Sequence, residues 1–183
     1  MLAEVVADVA KEEGFTLERS AAELVALLAE GSFRDALGIL QKVLAVSSNK
    51  KIEVEEVEAV SGAPRSELIR KLIEGLAKKD AGMALAAIEK AVAGNIDARV
   101  VTKLLIHRMR AVLLMRYAPD LAENFAAELS EADLALAKTL VKEPGVNSDT
   151  LRALLEAYGR MAYAAVPHLP LELAVIEVCG ERI

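Results

Sequence analysis

The stretch FTLERSAAELVALLAEGSFRDALGILQKVL (Phe15–Leu44) carries two apolar stripes at helical spacing, one on each side of a turn. In the first half, Leu17, Ala21, Leu24 and Leu28 fall on one face of a helix. The stripe stops at Gly31, a residue suited to the left-handed position just past a helix end. Ser32 follows at once and is the expected N-cap of the next helix. Asp35 stands three residues on, where its carboxylate would reach back to the backbone N–H of the cap. Phe33, Ala36, Leu37, Leu40 and Leu44 then form the expected buried stripe. Upstream, Leu2, Val5, Val6 and Val9 recur at helical spacing, and Gly14 ends that helix. Downstream, the pattern decays into Ser47-Ser48-Asn49-Lys50-Lys51, a polar turn and the best candidate boundary. Residues 1–50 therefore read as a small three-helix bundle.

The same signals continue to the end. A short helix is expected from Val54 to Val60, stopped at Ser61-Gly62, and another from about Ser66 to Lys78. Asp80 caps a helix to about Ala93, ended by Gly94, and Asp97 caps a long one to Tyr117, broken at Ala118-Pro119. A helical turn is expected over Leu121 to Phe125. Ser130 and Asp133 suggest a second capping box, for a helix ending near Glu143. Ser148 opens the next, with Leu151, Leu154, Leu155, Tyr158, Met161, Ala162 and Ala165 as its stripe. Pro167 and Pro170 precede a last helix, Leu171 to Cys179, apolar on almost every side and so expected to pack centrally or against a partner. No stretch alternates in the manner of a strand. The fold class is all-α: a three-helix unit over residues 1–50, then a larger helical bundle over 51–183.

Composition agrees. The chain has 183 residues, enough to bury roughly two-thirds of its unfolded surface without a disulfide or a metal. Apolar residues make up 54% and charged residues 27%, a globular balance, and ten glycines with five prolines leave little chain for long loops. The net charge of −6 argues against autonomous nucleic-acid binding through a basic surface. The single cysteine, Cys179, excludes an internal disulfide and a Cys-rich zinc site. No apolar run approaches the ~18 residues of a membrane span. The N-terminal MLAEVVADVAKEEGF has acids in its apolar stretch, unlike a signal peptide. A cytoplasmic protein with no membrane partner is expected.

The motifs of common chemistries are missing. There is no GxxxxGK(S/T), no GxGxxG and no HExxH. His107 and His168 are far apart and neither neighbours a carboxylate at ligand spacing, so no catalytic set and no metal site is nominated. Cys179 reads as a small buried hydrophobe. Glu12-Glu13 and Glu55-Glu56 read as helix-surface acids. Residues 99 to 116 hold Arg99, Lys103, Arg108, Arg110 and Arg116 and no acid. Such a stripe either touches phosphates or an acidic partner or is a solvated face, and the solvated face is the better reading.

Arg34 carries the sharpest local signal. A cation in the first turn of a helix opposes the positive end of the helix dipole. The apolar stripe points it off the core, and Gly38 and Gln41 leave its face open. A guanidinium beside a helix N-terminus can receive a phosphate oxygen. A surface arginine paired with Glu30 or Asp35 is the competing account.

EGSFRDALGILQKVL (Glu30–Leu44) resembles the GS-x-RDAL segment of bacterial DNA polymerase III gamma/tau subunits, the AAA+ ATPases that drive the sliding-clamp loader. FTLERSAAELVALLAEGS (Phe15–Ser32) is similar to the preceding helix of that family's lid. IEVEEVEAVSG (Ile52–Gly62) resembles its linker into the collar, and the run from Leu76 to Pro119 resembles the first half of the collar. LPLELAVIEVC (Leu169–Cys179) is similar to its closing helix. The likeness is loose from about Ala122 to Ala165.

The resemblance implies a lid over residues 1–50 and an oligomerisation collar over 51–183. It implies that Arg34 is the sensor-2 arginine, contacting the phosphates of ATP held by a preceding nucleotide-binding module. That module is not in this sequence: P-loop, Walker B acid, zinc-binding cysteines and arginine finger all lie upstream in the family. Met1 is therefore expected to be a start set inside a longer reading frame. The fragment alone is expected neither to catalyse nor to hold ATP. Its expected partners are other clamp-loader subunits through the collar, with the sliding clamp and DNA reached only through the missing module. The alternative is a helical protein-interaction scaffold with no nucleotide role. KKDAGMALAAIEKA (Lys78–Ala91) superficially resembles a tetratricopeptide helix, but no period of about 34 residues recurs.

Overall fold

The computed structural model describes residues 2–120, 126 and 129–180. These residues contain ten helices and two two-residue strands, so the protein is all-α. They divide into two compact units.

The first unit comprises residues 2–65 with Leu129 and Ser130. It holds α1 (Leu2–Glu12), α2 (Arg19–Leu28), α3 (Phe33–Val46) and α4 (Val54–Ser61). Gly14 closes α1 with a positive φ of 80°, and the N–H of Phe15 donates to the Ala10 carbonyl. Two strands went unforeseen: β1 (Thr16–Leu17) pairs parallel with β2 (Lys51–Ile52). Alternation cannot register over two residues. What fixes the pair is Ile52, fully buried, and Lys51, whose Nζ lies 2.5 Å from Glu18 and 3.3 Å from Glu53. Hydrogen bonds to those two carboxylates hold the lysine above its usual range. The chain then turns into α4, whose Val54 and Val57 are buried and which packs on α2 and α3.

Two expectations for α3 need correction. Its buried residues are Ala36, Leu40 and Val43, while Phe33 is 52% and Leu37 39% exposed. The α1, α2 and α4 neighbours all lie against the 36–40–43 face, so the parallel row through Phe33 and Leu37 is left outside. The capping box forms only in half. Asp35 N–H donates to Ser32 Oγ at 3.3 Å, but the Ser32 N–H donates to the Ala29 carbonyl at 2.8 Å and leaves nothing for the Asp35 carboxylate to accept.

The second unit comprises residues 66–120, 126 and 131–180. It holds α5 (Ser66–Lys78), α6 (Ala81–Ala93), α7 (Ala98–Tyr117), α8 (Glu131–Leu140), α9 (Ser148–Met161) and α10 (Leu169–Cys179). Asp80 and Asp97 cap α6 and α7 through the N–H groups of Met83 and Arg99. Helices α5 and α6 form a tight hairpin. A Cβ on Gly75 would sit 2.8 Å from the Ala84 nitrogen, so only glycine permits this approach. Helix α7 packs on α5, α8 and α9, with Leu105, Met109 and Val112 buried. Its Thr102 hydroxyl is satisfied by the Ala98 carbonyl at 2.8 Å.

Several details of this unit differ from expectation. The expected turn over Leu121 to Phe125 lies outside the described residues. Helix α8 ends at Leu140 rather than near Glu143. Asp133 is buried, and its carboxylate is held by Arg108 of α7 and by Arg70 of α5, the latter at 3.3 Å. Asn147, not Ser148, caps α9, accepting from Thr150 N–H. In α9 the inner face is Ala153, Leu154, Ala157 and Met161, and Leu155 is exposed. The reason is α10: Ala153 and Ala157 meet Ala174 in a close, small-residue crossing flanked by Val178. Helix α10 begins two residues earlier than expected, with Pro170 in its first turn.

Candidate functional site

The α2–α3 connection positions Arg34. Helix α2 ends at Ala29, whose N–H donates to the Val25 carbonyl. Glu30 and Gly31 follow with φ of 51° and 85°, two left-handed residues in succession. Gly31 meets no steric cost there, and Glu30 tolerates the region only because the turn requires it. The chain reverses, and Ser32 starts α3 in extended geometry. The first N–H groups of a helix have no carbonyl partner within it. The Ser32 hydroxyl accepts one of them, from Asp35.

Arg34 projects from this first turn with its side chain 96% exposed. Asp35 is an ionic neighbour, with its Oδ1 4.0 Å from the Arg34 Nε. At that separation and exposure the pair holds the guanidinium only loosely. Gly38, one turn on, has open space where a side chain would be, and Gln41 is exposed. The exposed Phe33 and Leu37 border the same surface. Between α1 and α3 this surface continues into a shallow groove of about 480 Å³, floored by Val9, Leu37, Leu40 and Leu44. The geometry offers an exposed cation, a helix N-terminus and an open apolar shoulder. That combination can receive an anionic group brought by another domain.

The basic stretch of α7 is used mainly inside the second unit. Arg99 lies over the Tyr158 ring, 4.6 Å from its centroid. Arg108 holds Asp133. Arg116 donates to the carbonyls of Val146 at 2.7 Å and Glu143 at 3.4 Å, pinning the α8–α9 connection. The stripe is thus less a solvated face than a set of internal ties, and nothing in the sequence signalled partners 25 to 59 residues away. His107 is half-buried, and burial with Arg108 and Arg110 close by pushes its pKa down to about 4. It stays neutral at physiological pH. Among the described residues no group of three or more His, Cys, Asp or Glu could hold a metal. Cys179 is half-buried at the end of α10, and burial raises its thiol pKa. No described helix is long and apolar enough to cross a membrane.

Two family models match consecutive parts of the chain. Residues 2–49 match the ATPase lid domain of the DNA polymerase III clamp loader subunit. Residues 52–182 match domain III of the DNA polymerase III subunits gamma and tau. The chain belongs to the DNA polymerase III gamma/tau family. It is 26% identical over 173 residues to the gamma/tau subunit of Mycobacterium tuberculosis, covering 92% of this chain and 30% of that protein. It is 25% identical over 175 residues to the tau subunit of Bacillus subtilis, covering 91% and 29%. It is 25% identical over 129 residues to the tau subunit of Escherichia coli, covering 70% and 20%. The chain thus spans 20% to 30% of the length of these curated gamma/tau relatives. Among solved structures it is similar to the DNA clamp loader delta protein of Bacillus subtilis, with a TM-score of 0.51, covering 98% of this chain and 56% of that one. At 19% identity that likeness is one of fold. This sequence therefore carries the ATPase lid and domain III of the gamma/tau family, and Arg34 falls within the part matched to the lid.

Proposed function

We propose that this chain serves DNA replication as the lid and collar of a clamp-loader motor subunit. Its lid would sense ATP through Arg34, and its collar would bind other clamp-loader subunits. The observation that carries the first part is the placement of Arg34: 96% exposed, at the N-terminus of a capped helix, on the face that α1, α2 and α4 leave open. Joined to a nucleotide-binding module in one polypeptide, the guanidinium would contact the terminal phosphate of ATP. Nucleotide state would then bias the angle between lid and module, a charge-assisted switch on a hinged element. ATP is the cofactor of that whole assembly. The sliding clamp and DNA would be reached through the module, in the cytoplasm. The isolated chain, with a single cation and no phosphate cradle in its sequence, would bind ATP weakly or not at all.

The collar part is supported by α10. Leu169, Leu173 and Ile176 form a row 43% to 53% exposed on its outer face, and Leu155, Tyr163 and Val166 add exposed apolar surface in and after α9. Such a surface in water favours a partner. The experiment is to replace Arg34 by Ala in the full-length polypeptide and measure steady-state ATP hydrolysis with clamp and primed DNA. A large loss with normal subunit assembly supports the reading. Unchanged hydrolysis removes Arg34 from the ATP site and favours the scaffold alternative. Replacing Leu173 by Asp should have the converse effect, weakening subunit assembly without touching ATP affinity.

A further inference from the structure

The nucleotide-sensing reading of Arg34, on which this inference rests, leaves open what the guanidinium does when no phosphate is present. The residue beside it supplies an answer. Asp35 stands in the first turn of α3, where the helix dipole favours an anion. Its carboxylate is not consumed by the cap. The Ser32 N–H that a closed capping box would direct to it donates instead to the Ala29 carbonyl at 2.8 Å. The Asp35 side chain is 59% exposed, and its Oδ1 lies 4.0 Å from the Arg34 Nε. Contact at that distance in solvent is too loose to fix the guanidinium in one direction, so Asp35 does not position it. The carboxylate is nevertheless near enough to offset the arginine's charge and to repel a second anion. Gly38, one turn on, has open space where a side chain would be, so the arginine can swing from Asp35 toward a group on that side.

We infer that Asp35 is a built-in competitor for the nucleotide: it pairs with Arg34 while no terminal phosphate is present, and the terminal phosphate of ATP displaces it. The two anions oppose each other by charge at one guanidinium. A phosphate group carries more charge and more acceptor oxygens than a carboxylate, so the phosphate prevails when it is there. When the terminal phosphate is gone, the carboxylate takes the arginine back. ADP offers no group at that position and does not contend with Asp35 for Arg34. Asp35 thereby lowers the affinity for ATP and keeps the response of the lid reversible.

The test is the calorimetric affinity of the full-length polypeptide for a non-hydrolysable ATP analogue and for ADP at low salt, with melting curves to verify folding. Asp35→Asn should bind the ATP analogue about 2- to 5-fold more tightly, the worth of an exposed ion pair, and ADP with little change. Asp35→Ser, also neutral, should match it, and Asp35→Glu, which keeps the charge, should stay close to wild type. Salt at about 1 M, where the screening length is about 3 Å, should erase most of the gain. Beside Arg34→Ala, Asp35→Asn should give no gain, because no guanidinium is left to compete for. Neutral variants that bind the ATP analogue no better than wild type overturn the inference. So does a gain that is equal for ADP or that persists undiminished beside Arg34→Ala, since either marks general repulsion of the nucleotide. If Arg34→Ala weakens binding while Asp35→Asn leaves it unchanged, the sensor reading stands and the competitor is wrong. If Arg34→Ala itself leaves binding unchanged, the sensor reading fails.

Discussion

Arg34 and His107 are both basic side chains on helices, and their surroundings give them opposite properties. Arg34 contributes little to folding, because its side chain is 96% exposed and its ionic contact with Asp35 is a loose one at 4.0 Å in open solvent. Arg34→Ala should therefore shift Tm by less than about 2 °C, which a melting curve checks, and a large drop would contradict its role as a surface sensor. His107 has its folded pKa pushed down to about 4, below its ordinary value of 6.5. The unfolded chain thus takes up the proton first as pH falls. The resulting stability is fully present above pH 6.5 and declines as pH drops toward 4. Denaturant melts across that window should show the decline, and His107→Gln should flatten it. At this scale the sequence was informative about direction but not about partners. Gly38 and Gln41 told that Arg34 faces outward. The pairing of Asp133 with Arg70 and Arg108 joins residues 63 and 25 positions apart, and no local pattern encodes it. Removing that carboxylate strands two guanidinium groups, so Asp133→Ala should cost about 3 kcal/mol of stability in chemical denaturation.

Helix ends were legible where local chemistry sets them. Asp80, Asp97, Gly62 and Gly94 act through their own neighbours' backbone groups, and the stop of α4, both ends of α6 and the start of α7 fall where these residues place them. Helix faces were harder. In α3 and α9 two apolar rows lie side by side, and which one is buried depends on the packing partner. Val43 rather than Leu44 turns inward in α3, and Ala153 and Ala157 rather than Leu155 in α9. The α9 outcome follows from the closeness of α10, which only small residues allow. A second close approach holds the α8–α9 connection. Gly145 N–H donates to the Ala77 carbonyl at 2.7 Å, and a Cβ there would lie 1.9 Å from the Leu76 carbonyl oxygen. Gly145→Ala should therefore displace that connection and destabilise the second unit by about 2–3 kcal/mol, a Tm loss of about 5–10 °C in calorimetry. A melting curve unchanged by the methyl group would show that the loop relaxes freely.

For the whole molecule, the all-α class and the family were legible because they rest on many residues at once: stripes, caps and the GS-x-RDAL segment. The candidate site was legible only in part. The sequence exposes a cation at a helix N-terminus, but the proposed nucleotide site would be completed by another domain, and one half of such a site carries no geometric trace of the other. The surface of the second unit was likewise hidden, since an all-round apolar helix such as α10 reads the same whether its outer row meets a neighbouring helix or another chain. The central claim joins these scales: a lid whose exposed Arg34 guanidinium reports the nucleotide. It is tested most directly by the affinity of the full-length polypeptide for a non-hydrolysable ATP analogue, measured calorimetrically with Arg34, Arg34→Lys and Arg34→Ala. The account predicts a loss of about 10- to 100-fold for Ala, the worth of a charged hydrogen bond, and a smaller loss for Lys, which keeps the charge but not the fork. Equal affinity in all three would contradict it.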